Sequence, residues 1–344
     1  MDARLVMRMA IALSATGVAM ATPAVELDEP LRPLPTAIKL DEHKVELGRK
    51  LFIDPRLARD NSVSCASCHD FTRGGADPRA RSIGAGGAIG AANAPSVFNA
   101  GFNFRQLWNG SAVSLEEFLD RLIKNPKVFD STWAEVVGKL NRDGELAAEF
   151  GAIYADGITG KNVVDSIATF TRSLVTPARF DRYLRGDTSA ISEEELQGYV
   201  KFKSYGCVAC HQGVNVGGNM FQKFGVMGDY FQQRGNIAPA DLGRFNVTQR
   251  DIDKYVFKVP SLRNVALTAP YFHDGSAPTL EAAVEVMFKY QLGRSAPPED
   301  KGLIVKFLKT LTGERQPSLA RHAPVPAPTA TGSPQVVGRL EGTR

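Results

Sequence analysis

The 344-residue chain carries 41 Lys and Arg against 37 Asp and Glu, a formal charge of +4, with no clustered basic tract. That balance argues against nucleic acid as a partner. The length corresponds to about two domains by the usual size relation, with enough chain for a proper core.

In chain order, Arg4 and Arg8 precede the apolar run "MAIALSATGVAMA" and the small-x-small signal Ala19-Met20-Ala21. This predicts a secretory leader, residues 1–21, cut after Ala21. The run is shorter than the ~20 apolar residues of a spanning helix, and no other segment approaches that length, so a soluble exported protein without a membrane span is expected. The glycine run "GAGGAIG" at 84–90 follows no strand pattern and lacks the spacing of a phosphate loop. Helical periodicity appears in "LEEFLDRLI", where Ser114 and Glu117 predict a capping box, and in "NVVDSIATFTRSLV", which ends before Pro177. After "ARFDRYLRGDTSA" a new helix is expected from Ser192, capped by Glu195. "LEAAVEVMFKYQLG" places Leu280, Ala283, Val284 and Met287 on one stripe with Gly293 at its end, and "LIVKFLKTL" repeats the pattern before Gly313. Strand alternation is scarce. The expectation is a mostly α protein of two helical domains, 22–180 and 181–314. A disordered Pro/Ala-rich tail, 315–344, holds an idle His322.

All four cysteines fall in two copies of one motif, "SCASCHD" and "GCVACHQG", which also use two of the five histidines. Two disulfides would be the ordinary reading of four cysteines in an exported chain. The repeated C-x-x-C-H spacing points elsewhere: both thiols add to porphyrin vinyl groups, and the adjacent imidazole lies under the iron. A zinc site would need ligands converging on one metal, and a thioredoxin-like motif would need only one C-x-x-C in a βαβ setting. Two covalent haem c groups are therefore expected, one in each half, which makes both helical domains cytochrome c-like. Cys65, Cys68 and His69 hold one, and Cys207, Cys210 and His211 hold the other. Bacterial c-type haem is attached outside the cytoplasm, so the expected location is the periplasm.

The blocks "ELGRKLFIDPRLARDNSVSCASCH", "NAPSVFNAGFNFRQLWNG", "FDRYLRGD", "DLGRFNVT", "KVPSLRNVALTAPYFHDGS" and "VMFKYQLG" resemble the bacterial di-haem cytochrome c peroxidases and their relative MauG. The resemblance runs from about residue 44 to 313. It implies a peroxide-reactive first haem on His69 and a high-potential second haem ligated by His211 and Met287. It further implies that Trp108 relays electrons between them. Asn93, with the carbonyls of Thr268 and Pro270, would hold a calcium ion, a hard cation suited to oxygen ligands. His273 would support the surroundings of the second haem by hydrogen bonding. Met287 also lies on the apolar stripe of its helix and Trp108 could be an ordinary buried aromatic, so packing alone is the competing account of each. His43 reads as a surface helix residue. The implied partners are a small cytochrome c or cupredoxin and hydrogen peroxide or O₂, and members of the family often form homodimers.

The chain departs from the family on the reactive side. Ala85 stands in "RSIGAGG" where peroxidases carry a ligating histidine, and Phe118 and Val128 replace a glutamine and a glutamate. None of the three can bind iron or move a proton. A short slip in register would bring Asp130 or Glu117 to that place. Three functions follow: a peroxide reductase, a MauG-like or oxygenase-like enzyme oxidising another molecule with peroxide or O₂, and a non-enzymatic electron carrier or gas sensor.

Overall fold

The computed structural model describes residues 29–314. The predicted leader and the tail with His322 lie outside the described residues.

Helix α1 (Glu42–Phe52) starts where the Asp41 carboxylate accepts the amides of His43 and Lys44. After the first cysteine motif come α2 (Leu115–Ile123), α3 (Trp133–Leu140), α4 (Gly144–Ile153) and α5 (Gly160–Ser173). Their apolar faces form one core, from Leu47 to Leu174. The second core is built from α6 (Arg179–Leu184), α7 (Glu193–Ser204), α10 (Leu280–Val286) and α11 (Pro298–Lys309). Between α7 and α10 lie the short helices α8 (Tyr230–Arg234) and α9 (Phe245–Thr248). The sheet among the described residues is one antiparallel pair, β1 (Phe221–Lys223) and β2 (Val256–Lys258), with Phe221 opposite Lys258. No helix among the described residues is long and apolar enough to cross a membrane.

Each core is organised by one helix crossing at a glycine. A β-carbon at Gly48 of α1 would overlap the Ser166 carbonyl and the Phe170 side chain of α5. A β-carbon at Gly198 of α7 would overlap the Leu303 carbonyl and the Phe307 side chain of α11. In both halves the helix before the cysteine motif therefore lies backbone to backbone on the last helix of its core, the contact bare glycine permits.

Three local expectations are modified. Ser192 and Glu195 form the full reciprocal box, but Glu117 turns its carboxylate to the Val113 amide instead of the Ser114 amide, so only half of the expected box forms at α2. The helix expected over 280–293 changes pitch after Val286, and Met287–Gln291 form a π turn. Residues 29–34, expected in the first domain, pack on the second core. Leu31 and Leu34 are buried, the Leu34 amide donates to Asp181 at 2.7 Å, and Glu29 pairs with Lys203. Asp181 is itself buried against Arg263, at 2.7 Å with both side chains fully enclosed. Burying two leucines and satisfying that carboxylate outweighs sequence proximity to α1.

Candidate functional site

Both cysteine motifs fold as the same tight turn. Cys65–Ser67 is a single 3₁₀ turn, with the Cys68 and His69 amides donating to the Cys65 carbonyl at 3.2 and 3.1 Å. Cys207–Ala209 repeats it, with the Cys210 and His211 amides on the Cys207 carbonyl at 3.2 and 3.0 Å. Residues three apart on such a turn share a face, so each pair of thiols points the same way. All four are free thiols in this structure. Burial pushes the Cys65 thiol up to about 12 and the Cys207 thiol up to about 11.

Each imidazole could serve as a metal ligand. Burial lowers the His69 pKa and pushes His211 down to about 4, which keeps both rings neutral with a lone pair to offer. His69 Nδ1 lies 3.0 Å from the Gly75 carbonyl; a proton held there leaves Nε2 as the nitrogen that could bind a metal. Gly75 reaches this place through a φ of +71°. The loop is braced from behind by Arg79, whose guanidinium grips buried Asp77 at 2.8 and 2.9 Å and donates to the Ser67 carbonyl at 3.0 Å. In the second motif His211 Nδ1 is buried with no hydrogen-bond partner among the described residues, although the carbonyls of Val216 and Pro260 oppose the lowering of its pKa.

A cavity of about 280 Å³ opens against the second motif. Cys207, Cys210 and His211 line it together with Met287, so the two expected iron ligands face one space. Met287 is the first residue of the π turn. Such turns displace the helical register and often mark functional positions. A tetrapyrrole fits this donor set: two thiols, a neutral imidazole and a thioether around a largely apolar wall.

Trp108 lines the same cavity. Its indole N–H donates to the Asn93 carbonyl at 2.9 Å, and its own carbonyl accepts the Lys258 amide at 2.8 Å. His273 stands edge-on to it at 6.4 Å. The His273 ring meets Asp241 at 2.6 Å and its carbonyl accepts the Asn93 amide at 2.7 Å. Burial disfavours the Asp241 carboxylate, but Arg234, the Ala238 amide and His273 outweigh it and hold its pKa below the usual range. Asp241, His273 and Asp274 lie close enough to hold a metal. Arg234 already bridges the two carboxylates, so a cation is in place. Asn93, Thr268 and Pro270 also line the cavity, with Asn93 Nδ2 donating to the carbonyls of Asp77 and Arg79 at 3.2 and 2.9 Å.

Ala85 is buried in the first core, which also contains Cys65, and Phe118 and Val128 are partly buried against that core. The Ala85 amide donates to the Val128 carbonyl at 2.7 Å, and Asp60 accepts the Gly86 amide at 2.8 Å, so the loop is fastened. The alternative carboxylates are engaged elsewhere: Asp130 pairs with Arg59 at 3.0 Å and Glu117 with Arg121. His43 is exposed at the start of α1. Sequence reasoning missed Gly75, the Asp77–Arg79 brace, Asp241 and Lys258. Gly75 and the brace lie near the first motif, and nothing in their spacing signals the role.

The family described as "Di-haem cytochrome c peroxidase" matches residues 42–189. Cytochrome c peroxidase Ccp of Escherichia coli (strain K12) is 44% identical over 84% of this chain and 62% of its own length, so the chain spans under two thirds of that relative. Cytochrome c551 peroxidase of Nitrosomonas europaea is 42% identical over 84% of this chain and 85% of its own. The crystal structure of a MauG-like protein associated with microbial copper homeostasis superposes with a TM-score of 0.72 at 28% identity, covering 87% of this chain and 96% of that one. Similarity of that extent, in a helical fold that presents two matching C-x-x-C-H turns, makes this chain a member of the di-haem cytochrome c peroxidase and MauG family.

Proposed function

We propose that the protein is a periplasmic di-haem c-type oxidoreductase, exported by its leader, that reduces hydrogen peroxide in its first half with electrons received through its second. The observation that carries this reading is the single cavity onto which His211, Met287 and Trp108 converge. When bound, each haem supplies an iron able to change oxidation state, and Met–His ligation gives the higher potential. The chain's own residues do the rest. Cys65, Cys68, Cys207 and Cys210 anchor the groups, and Gly75 fixes the His69 ring. Trp108 bridges the two halves as electron relay. The two domains meet near residue 180, and the oxygens of Asn93, Thr268 and Pro270 would hold a calcium ion beside Trp108. A small cytochrome c or cupredoxin is the fitting electron donor, and a homodimer the fitting assembly.

The trio Ala85, Phe118 and Val128 favours a second reading. A reactive face without an ionisable side chain suits oxidation of another molecule by peroxide or O₂, as a MauG-like enzyme would do it. Mass spectrometry of the denatured protein should first show the polypeptide plus two haem masses; one haem or none ends both readings. Turnover of peroxide with reduced small cytochrome then supports the reductase. A high-spin first haem in the oxidised protein, with substrate modification but no cytochrome-driven turnover, supports the second reading. Reversible reduction without either reaction leaves an electron carrier.

A further inference from the structure

Among the described residues, the cavity beside His211 and Met287 is lined by Lys223, Lys258 and Arg263 and by no Asp or Glu. Arg263 is satisfied: Asp181 neutralises it at 2.7 Å, and the Val214 and Arg32 carbonyls take its remaining donors. Lys223 is exposed. Lys258 differs from both. Strand β2 carries it into the interior, where it is 6% exposed. Burial alone acts on its ammonium, with no nearby carboxylate to offset the cost. Its main-chain amide is tied to the Trp108 carbonyl, so it stands on the path between the two halves.

A buried ammonium without a counter-charge is costly, and folded proteins supply it with an anion or neutralise it. Within this cavity the protein offers none, so the anion must arrive with the occupant. The haem expected there carries two propionate carboxylates.

We propose that Lys258 is the counter-ion of a propionate of the second haem, and that this pair raises the reduction potential of that haem. The proposal rests on the reading that Cys207, Cys210 and His211 hold a haem. An ammonium beside the porphyrin opposes the positive charge gained on oxidation, and it offsets the negative propionate that would favour the oxidised state. Removing it therefore lowers the potential.

The test uses the full-length protein with both haems attached, as wild type, Lys258→Met, Lys258→Gln and Lys258→Arg. Haem masses are counted first: loss of the second haem from wild type would overturn the parent reading and is thereby told apart from failure of this one. Potentiometric titration should then show a downward shift of the Met-ligated haem in Lys258→Gln and Lys258→Met, with Lys258→Arg close to wild type. Resonance Raman spectra should show the propionate bending band displaced in the neutral variants only. A potential and a band unchanged in Lys258→Gln, with both haems present, overturn the proposal. So does a wild-type potential that follows chloride or phosphate concentration while the band stays fixed across the variants, because the ammonium would then serve a small inorganic anion.

Discussion

Met287 sits at a change of helical pitch, where α10 gives way to the π turn, and lines the cavity that contains His211. A methionine kept only for packing has no need of that placement, since Phe288 beside it is already buried in the second core. Truncating the thioether side chain to a methyl group, Met287→Ala, should abolish the sulfur-to-iron charge-transfer band and open the second iron to CO or cyanide. An unchanged optical spectrum would reduce Met287 to a core residue. On the reactive side the decisive position is Val128. Cleaving the peroxide O–O bond requires a group that takes a proton from one oxygen and returns it to the other, and no side chain among Ala85, Phe118 and Val128 can do so. General acid–base catalysis is worth about 10²- to 10⁴-fold, or roughly 3 to 5 kcal/mol of barrier. Val128→Glu should therefore speed peroxide consumption in stopped-flow experiments by about 10²-fold or more. If the native protein already reacts fast and the variant adds nothing, another carboxylate has left its ion pair for the pocket, with Asp130 and Glu117 the first to examine.

At the scale of elements, the two halves share one construction, a helix lying on another through Gly48 in the first and Gly198 in the second. The Gly198 crossing positions the second cysteine motif, because Cys207 follows α7 after only Tyr205 and Gly206, whereas a longer stretch separates Phe52 of α1 from Cys65. Gly198→Ala drives a methyl into the Leu303 carbonyl and the Phe307 side chain, overpacking that costs typically 1–3 kcal/mol and more where backbone must move. Gly302, also helical, has open space where its β-carbon would stand. There the same substitution should stabilise, by about 0.5–1 kcal/mol from helix propensity. Urea unfolding of the two variants should move in opposite directions. Equal effects would mean that the α7–α11 crossing relaxes freely. These helices were legible in the sequence because their signals are local: the apolar period of α5 and the reciprocal Ser192–Glu195 cap lie within a few residues of each other. The half-formed cap at Ser114 was not, since Glu117 had a second amide within reach, that of Val113, and sequence spacing does not choose between them.

Across the whole molecule, what the sequence concealed is what depends on residues far apart in the chain. The two haem motifs were legible because C-x-x-C-H is contiguous. Asp241 meets His273 over 32 residues, Asp181 meets Arg263 over 82, and Leu31 joins a core whose other members begin at Phe180. Trp108 belongs to this second kind of contact. It follows the first motif in sequence, yet the second half holds it. Strand β2 donates the Lys258 amide to its carbonyl, His273 faces its ring, and it packs on the aromatic cluster of Tyr230, Phe231 and Phe257. Its indole N–H is committed to the Asn93 carbonyl, an acceptor that takes a hydrogen bond but is too weak a base to remove the proton. An electron crossing this ring therefore travels without a proton, which suits a fast relay between fixed sites. Trp108→Phe keeps an aromatic surface on the cluster, drops one hydrogen bond worth about 1 kcal/mol, and puts a ring that is harder to oxidise in the gap. The expected outcome is an unchanged potential at each haem, unchanged ligand binding, and slower electron transfer from the second haem to the first. Stopped-flow spectroscopy can follow this as delayed oxidation of the Met-ligated haem after peroxide is mixed with the reduced protein. If that oxidation keeps its wild-type rate, Trp108 is a packing residue at the junction and the electrons take another route. If both potentials shift as well, the substitution has disturbed the Asn93–His273 hydrogen bonding, and Trp108→Tyr, which restores a polar ring, separates that structural effect from loss of the relay.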